Sequence, residues 1–386
     1  MRVLFTISDL GLGGAQKQVV ELARQLARYG NAVAIYTLNG VAPRAAELAG
    51  SGVEVLVDQK RSKLDVQVLA RLRRFIRDWR PDIVHGFLFD GDIYARIAAF
   101  ATGIPVLNSE RSDNYEISAT QRLGHFLTKG MVDGVVANTG SGSRFARKLY
   151  GYGADQMHVV WNGMHVEDLE RRAVSDADHR REFFGPGEHK VATLVGAIKP
   201  AKDYHLAIET AAHLVTTAPE WRVLFLGDSL SPPVPGYKAG VHSNTSDYKD
   251  AVMRHYESAG LSGRVTFAGA RNDLPAIVKQ SDVLFVTSCR EGFPNCVLEA
   301  MVLGVPVVST DYSDIAQILP RAGQVVATRS PEAIAAAIVA AHRDRNAIVA
   351  EQKQWVRTHA TIEKATENLE RVYRQYIRPD PVAKPA

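Results

Sequence analysis

The chain of 386 residues carries 46% hydrophobic and 23% charged residues, a composition that excludes a disordered chain, a collagen-like fibre and a mucin-like stalk. At roughly 150 residues per domain the length favours two domains, each large enough for its own core. Net charge is only +4, but residues 1–150 hold 20 Lys and Arg against 14 Asp and Glu, a local +6 that leaves −2 for the remainder; a basic half suits an anionic partner or an ordinary solvated surface.

The opening MRVLFTISDL is broken by Asp9 and followed by glycines instead of a small-residue cleavage site, so it reads as a first strand and not as a secretory signal. VLFTI leads through GLGGA into a helix with apolar Val19, Val20, Leu22, Ala23 and Leu26, and VAIYTL, VEVLV, DIVH, PVLNS and GVVANT follow. β-Branched runs alternating with helix-period segments predict a doubly wound parallel α/β unit. In GLGGA, Gly13 and Gly14 let the backbone approach an anion, while the third glycine of a dinucleotide fingerprint is absent and YTLNG supplies no acid. The stretch 60–81 carries eight basic residues against Asp65 and Asp78, with Leu69, Leu72, Ile76 and Trp79 at helical spacing. It reads as a layer helix whose cationic face is either solvated or laid on an anionic membrane.

His85 closes the strand in PDIVHGFLFDGD, where Asp90 and Asp92 spell a DxD triplet of a length that chance supplies. Arg96 interrupts IYARIAAFATGIPVL, and no window reaches the about 18 apolar residues that a membrane span needs. The expected compartment is the cytoplasm, because two cysteines, Cys289 and Cys296, make no disulfide framework. GSGSRF lacks the strand and helix context of a nucleophile elbow, and no close His and Cys spacing suggests zinc.

A polar stretch, 167–188, ends in Gly-Pro-Gly and is read as a linker. KVATLVG, WRVLFLGD, RVTFAGA, DVLFVTS and PVVST then repeat the α/β rhythm, with a proline-bearing excursion at 229–246. A closing helix over about 361–377 runs into a frayed tail, RPDPVAKPA. Two Rossmann-like domains facing one another would form a cleft, with ligands on loops beyond the carboxyl ends of the strands.

The most informative segment is SCREGFPNCVLEAMVLGVPVVST at 288–310. After a buried strand it turns through Gly292 and enters a helix for which Pro294 suits an early position, so the amides of Asn295, Cys296 and Val297 are candidate diphosphate donors. Glu291 in the loop and Glu299 in the helix offer carboxylates to sugar and ribose hydroxyls.

EGFPNCVLEAMVLGVPVV, with its Glu, seven residues, Glu pattern, resembles the signature of retaining nucleotide-sugar glycosyltransferases of GT-B architecture, in particular glycosyltransferase family 4. GLGGAQKQVVELARQLARYGNAV, PDIVHGFLFDG, VVANT, VVWNGM and VGAIKPAKDYHLAI fall in that family's order, so the resemblance covers nearly the whole chain. It implies an N-terminal acceptor domain, 1–166, joined by the C-terminal helix at about 361–378, and a donor domain, 189–360. By position, Glu291 would contact the transferred sugar, Glu299 the ribose, and the backbone of Gly292, Phe293, Pro294, Asn295, Cys296 and Val297 the sugar and phosphates. Lys202 in KPAKD matches the diphosphate lysine; Ala197 stands where the family often has Arg, and Lys199 is its candidate substitute. Arg271, after RVTFAGA, joins the donor set, and Gly13 and Gly14 would face the donor phosphates. NSERSDN replaces the loop that often carries a family histidine, which leaves His85, Glu110 and Arg111 as acceptor-side candidates. Glu291, Lys202 and Arg111 form the expected catalytic set. The implied partners are a UDP- or GDP-linked sugar and a hydroxyl acceptor, lipid-linked or a glycan precursor, with no metal, no cofactor and no nucleic acid. Rival readings on the same fold are a nucleotide-sugar epimerase, a hydrolase, or a non-catalytic nucleotide-sugar sensor.

Overall fold

The computed structural model describes residues 1–11, 13–111, 117–228 and 245–377. They form two compact units, 1–163 with the chain from His359 onward, and Met164–Thr358. Most of the excursion at 229–246 and the tail from 378 lie outside the described residues.

The first unit is built on strands β1 (Arg2–Ile7), β2 (Ala32–Thr37), β3 (Glu54–Val57), β4 (Ile83–Phe87), β5 (Val106–Glu110), β6 (Gly134–Ala137) and β7 (Met157–Val159). They make one sheet in the order β3-β2-β1-β4-β5-β6-β7, and its registered pairs are parallel, with Leu4 opposite both Ala34 and Val84. The second unit holds β8 (Lys190–Val195), β9 (Trp221–Leu226), β10 (Val265–Phe267), β11 (Val283–Val286), β12 (Val307–Thr310) and β13 (Val325–Val326), in the order β10-β9-β8-β11-β12-β13. Helices cover such sheets on both faces, so central strands bury nearly every residue, as Val3, Leu4, Phe5 and Ile7 do. The winding direction reverses between β1 and β4 and again between β8 and β11, which makes those strand ends the expected ligand positions.

The C-terminal helix Ile362–Tyr376 buries Ile362, Ala365, Leu369, Val372 and Tyr373 in the core that also holds Val19, Val20, Ala23 and Leu26 of helix Gly14–Arg28. Gly163, in WNGM, is needed where this helix begins: a Cβ there would stand 2.6 Å from the Thr361 carbonyl oxygen and 2.7 Å from Ile362 Cα. Gln18 ties the same point down, donating to the Gly163 carbonyl at 2.9 Å and accepting from its amide at 3.2 Å.

One expectation needs correction. The stretch 167–188 is not an extended linker, because it contains most of helix Val166–Arg172 and all of helix His179–Phe184, both within the second unit. Arg180 donates to the carbonyls of Gln280 and His189 at 2.7 and 3.0 Å, and Asp178 caps its helix by accepting from the Arg181 amide. Arg180 and Asp178, within the stretch read as a linker, thus bind backbone of the second unit.

Candidate functional site

In the second unit the loop after β8 carries Gly196, Lys199 and the turn Pro200–Lys202 before helix Tyr204–Thr217. Lys202 lies directly over Gly196, where a Cβ would meet the lysine Cε at 2.7 Å. Gly227, at φ +136, permits the neighbouring backbone to approach so closely that a Cβ would fall 2.0 Å from the Gly196 carbonyl oxygen. These two strand-end glycines make the floor on which the lysine rests. Asp203 adopts a left-handed φ of 47 and accepts from the Leu206 amide at 3.3 Å, turning strain into a helix start.

The loop after β11 closes on that lysine. Thr287 Oγ1 donates to the carbonyls of Lys202 and Asp203 at 2.8 and 3.1 Å, and the Cys289 amide donates to the Ala201 carbonyl at 2.9 Å. Arg329, which no local motif marks, donates to Asp203 Oδ2 and the Thr287 carbonyl at 2.7 Å each. So fixed, Lys202 Nζ stands 2.8 Å from Glu291 Oε1, and Ser288 Oγ donates to the same oxygen at 3.2 Å. Burial works against the charge on Lys202, yet the Glu291 carboxylate, joined by Cys296 and Tyr204, outweighs it and holds the ammonium above its ordinary pKa. Burial likewise opposes ionisation of Glu291, and Lys202 with Lys199 brings its pKa below the usual carboxylate value. Both directions describe a charged pair persisting at neutral pH at the β8/β11 switch point.

Helix Asn295–Val302 starts beside this pair, with Pro294 at the N-cap and no side-chain cap. Pro294 therefore precedes the helix instead of opening it, and the Val297 amide, expected to face a ligand, donates to the Pro294 carbonyl at 3.1 Å. Asn295 and Cys296 occupy the first helical positions, where amides lack intrahelical acceptors. Gly292, Phe293 and Pro294 are buried. Burial raises the Cys296 thiol pKa, against the pull of Lys202 and with Glu291 and Glu299 adding to the rise, so Cys296 is a neutral neighbour and not a thiolate nucleophile. Lys199 is thus within electrostatic reach of Glu291, Glu299 is within reach of Cys296, and Ala197 supplies no second cation.

Arg271 stands apart from this arrangement. Its guanidinium is held by Asp273 at 2.7 Å and Glu182 at 2.8 Å and lies over Phe183, so its bonds serve helix His179–Phe184. The sequence placed it correctly after a strand but could not show that two carboxylates claim it.

In the first unit Gly13 is the N-cap and Gly14 the first residue of their helix, again without a side-chain cap. Asp9 Oδ1 accepts from the Gly11 amide at 2.9 Å and from Gln16 Nε2 at 3.0 Å, so this turn carries its own carboxylate. His85 is corrected from a ligand-facing residue to a core residue: it is fully buried, with Nδ1 2.6 Å from Tyr373 Oη and Nε2 2.8 Å from Ser109 Oγ. Burial holds its pKa well below the ordinary value, with Arg111 adding to the effect, so it stays neutral.

Glu110 and Arg111 do line a cavity of about 70 Å³, together with Asp92, Gln121, His125 and Tyr150. Arg111 rests over the Phe87 ring and donates to Asn162 Oδ1 at 3.0 Å, and burial presses its pKa down to about 10. Asp92, which the sequence offers only as half of a chance DxD triplet, also lines this cavity. Helix Leu88–Ala99 begins with Leu88 at a left-handed φ of 63, and Gly91 is pressed against β1, where a Cβ would meet the Thr6 carbonyl oxygen at 2.5 Å. This tight entry sets the Asp92 carboxyl above Gly86, buried to 5% exposure. Burial raises its pKa to about 7, against the pull of Arg96, Ser109, Asn108 and Arg111. Asp90, in contrast, pairs with Lys60, so the two halves of the DxD triplet have separate surroundings. Strained backbone, a perturbed carboxyl and a cavity coinciding at the end of β4 are the usual marks of a ligand site.

Two sequence families match the chain: Glycosyltransferase Family 4 over residues 12–168, and Glycosyl transferases group 1 over residues 175–360. The chain belongs to glycosyltransferase family 4. It is 28% identical over 203 residues to the D-inositol 3-phosphate glycosyltransferase of Rhodococcus erythropolis, a match covering 51% of this chain and 42% of that protein. It is 25% identical over 263 residues to the Escherichia coli UDP-Gal:alpha-D-GlcNAc-diphosphoundecaprenol alpha-1,3-galactosyltransferase, covering 64% of this chain and 62% of the relative. Both matches span less than two thirds of the relatives' lengths. Among solved structures, Anabaena HepE in complex with UDP-glucose superposes with a TM-score of 0.80 at 18% identity over 97% of this chain and 100% of that one, which shows the GT-B fold of two Rossmann-like domains.

Proposed function

We propose that this family 4 chain transfers a sugar from a nucleoside diphosphate donor, UDP- or GDP-linked, to a hydroxyl acceptor with retention of anomeric configuration. The observation that carries the reading is the buried Lys202–Glu291 pair at 2.8 Å, set at the β8/β11 switch point beside an uncapped helix start. Departure of a nucleoside diphosphate builds negative charge on phosphate oxygens, and a preorganised ammonium with amides of the first helical turn meets that charge without reorganisation. Glu291 holds Lys202 in place before donor binds and offers its second oxygen to a sugar hydroxyl, while Glu299 serves the ribose. The bond from the anomeric carbon to phosphate oxygen breaks as the acceptor oxygen bonds on the same face. The acceptor proton passes to the departing phosphate.

On the acceptor side, Arg111 faces Asp92 and Glu110, so the first-unit cavity is close to charge balance and suits neutral hydroxyls. Lipid-linked or glycan acceptors fit this reading, as the name of the Escherichia coli relative suggests.

The test is a panel of nucleotide sugars screened by thermal shift, because a ligand that binds only the folded state raises its melting temperature. The donor so found is then used in product analysis. A glycosylated acceptor with the donor's anomeric configuration supports the reading. A changed free nucleotide sugar, or tight binding without turnover, overturns it. Because the Lys202 ammonium and the first-turn amides supply the charge stabilisation, turnover is expected to survive excess chelator; loss restored by magnesium or manganese refutes that expectation.

A further inference from the structure

Helix Ala119–Thr128 is inverted with respect to an ordinary layer helix. Its inward positions are polar: His125 and Thr128 are buried, and buried Arg96 reaches both, lying 2.9 Å from Thr128 Oγ1 and 3.2 Å from His125 Nδ1. Its outward positions are apolar: Leu123, Phe126 and Leu127, spaced to share one face, are 57%, 67% and 66% exposed. A helix in a soluble domain normally buries that stripe, and the bonds to Arg96 prevent this one from rotating to do so.

The charged side chains that this helix and its neighbour expose are basic. Arg122 is exposed on the same helix, and Lys129, at its end, lies over the Phe126 ring. The Tyr150 ring stacks on His125 at 4.2 Å, which seats helix Gly140–Tyr150 alongside, and that helix exposes Arg147 and Lys148. From 118 to 151 the chain has five Lys and Arg and a single acid, Asp133, whose carboxylate accepts from the Val106 amide.

We propose that the Leu123, Phe126 and Leu127 face, with Arg122 and Lys129 beside it and Arg147 and Lys148 on the adjoining helix, docks on an anionic lipid bilayer, with the apolar side chains entering the acyl boundary and the cations on headgroup phosphates. An apolar stripe with basic flanks is the signature of a helix lying in the membrane interface. No described helix is long and apolar enough to cross a bilayer, so the contact is peripheral. The surface differs from the one the sequence suggested. In the stretch 60–81, Arg71 is held in a fork by Asp58 at 2.8 Å, Arg73 donates to the carbonyls of Ala98 and Phe100, and Lys60 pairs with Asp90. The proposal is independent of the donor chemistry. It also places the polar first-unit cavity, which Gln121 and His125 line, on the opposite side of the lipid-facing helix.

The test is cosedimentation of the full chain with phosphatidylcholine vesicles, with and without phosphatidylglycerol. The wild type is expected to bind only the anionic vesicles, and less as salt rises. The triple variant Leu123→Gln, Phe126→Gln, Leu127→Gln is expected to lose at least about tenfold in binding with an unchanged circular dichroism spectrum, whereas Leu64→Gln with Val66→Gln, on the segment 60–81, retains it. Should the triple variant misfold, Phe126→Trp gives the second reading, a blue shift of emission relative to wild type on adding anionic vesicles. Wild-type vesicle binding retained by a folded triple variant, equal binding to neutral vesicles, no binding at all, or an unshifted emission from the Phe126→Trp variant overturns the proposal. So does a wild-type dimer that the triple variant converts to monomer, which would make the face a contact between copies of the chain.

Discussion

Lys202→Met is expected to lower sugar transfer by at least about a hundredfold, the scale of losing one preorganised group that stabilises developing charge. It should also destabilise the fold by about 3–5 kcal/mol, because Glu291 would remain buried without its partner. Lys202→Met combined with Glu291→Gln removes both charges and separates the two effects: stability should largely return while transfer stays lost. Initial rates and urea titrations on the three proteins read this out, and a double variant that regains transfer would reduce the pair to a packing feature. The acid limb carries a further sign. In the wild type the Glu291 pKa is depressed, so its contribution is present above the ordinary carboxylate value and is lost as pH falls through the folded value. In Lys202→Met burial, the largest influence on Glu291, is opposed only by Lys199 and the Ser288 hydroxyl, so the carboxyl shifts upward and stability should instead fall as pH rises through the carboxylate range.

Asp92→Asn is the second large expectation, and its readout is a pH profile. Burial pushes the folded carboxyl up to about 7 from an ordinary 3.8. Between those values the unfolded chain is ionised while the folded one keeps its proton, so wild-type stability falls as pH rises across that window, by at most about 1.4 kcal/mol per unit. The asparagine variant should lack that fall and become the more stable protein above neutrality. If Asp92 orients the acceptor hydroxyl through its carboxylate, the variant should lose at least about tenfold in kcat/KM for acceptor, equivalent to about 1.4 kcal/mol, with the donor KM unchanged. The wild-type rate should rise through neutrality and the variant's should be flat in that range. An identical pH–rate profile in both proteins would confine Asp92 to a structural role.

Much of this site was legible because it depends on local order. EGFPNCVLE puts a carboxylate, a tight turn and a helix start within one loop, and strand-to-helix spacing alone places that loop at the carboxyl end of β11. KPAKD is legible for the same reason, after β8. Arg329 escaped because it is 126 residues from Asp203, and no pattern announces that a guanidinium will return to hold a loop. Val297 escaped because a shift of one position in the helix start decides whether an amide faces outward or back to Pro294.

Sequence by itself determined the alternation of buried strands and amphipathic helices, hence two parallel α/β units, and the residue types at both winding reversals, because burial period and strand-end glycines are local properties. Only the tertiary structure decided which charges are spent and which are presented. Arg271 and Arg73 look available along the chain and are engaged in space; Asp92 looks like a chance triplet and becomes a perturbed carboxyl lining a cavity. Helix Ala119–Thr128 turns its apolar face outward because Arg96, buried and bonded to Thr128 and beside His125, fixes its rotation. The physical reason is common to all three: desolvation and pairing energies depend on what surrounds a group in space, and partners separated by tens of residues leave no periodic trace in the sequence.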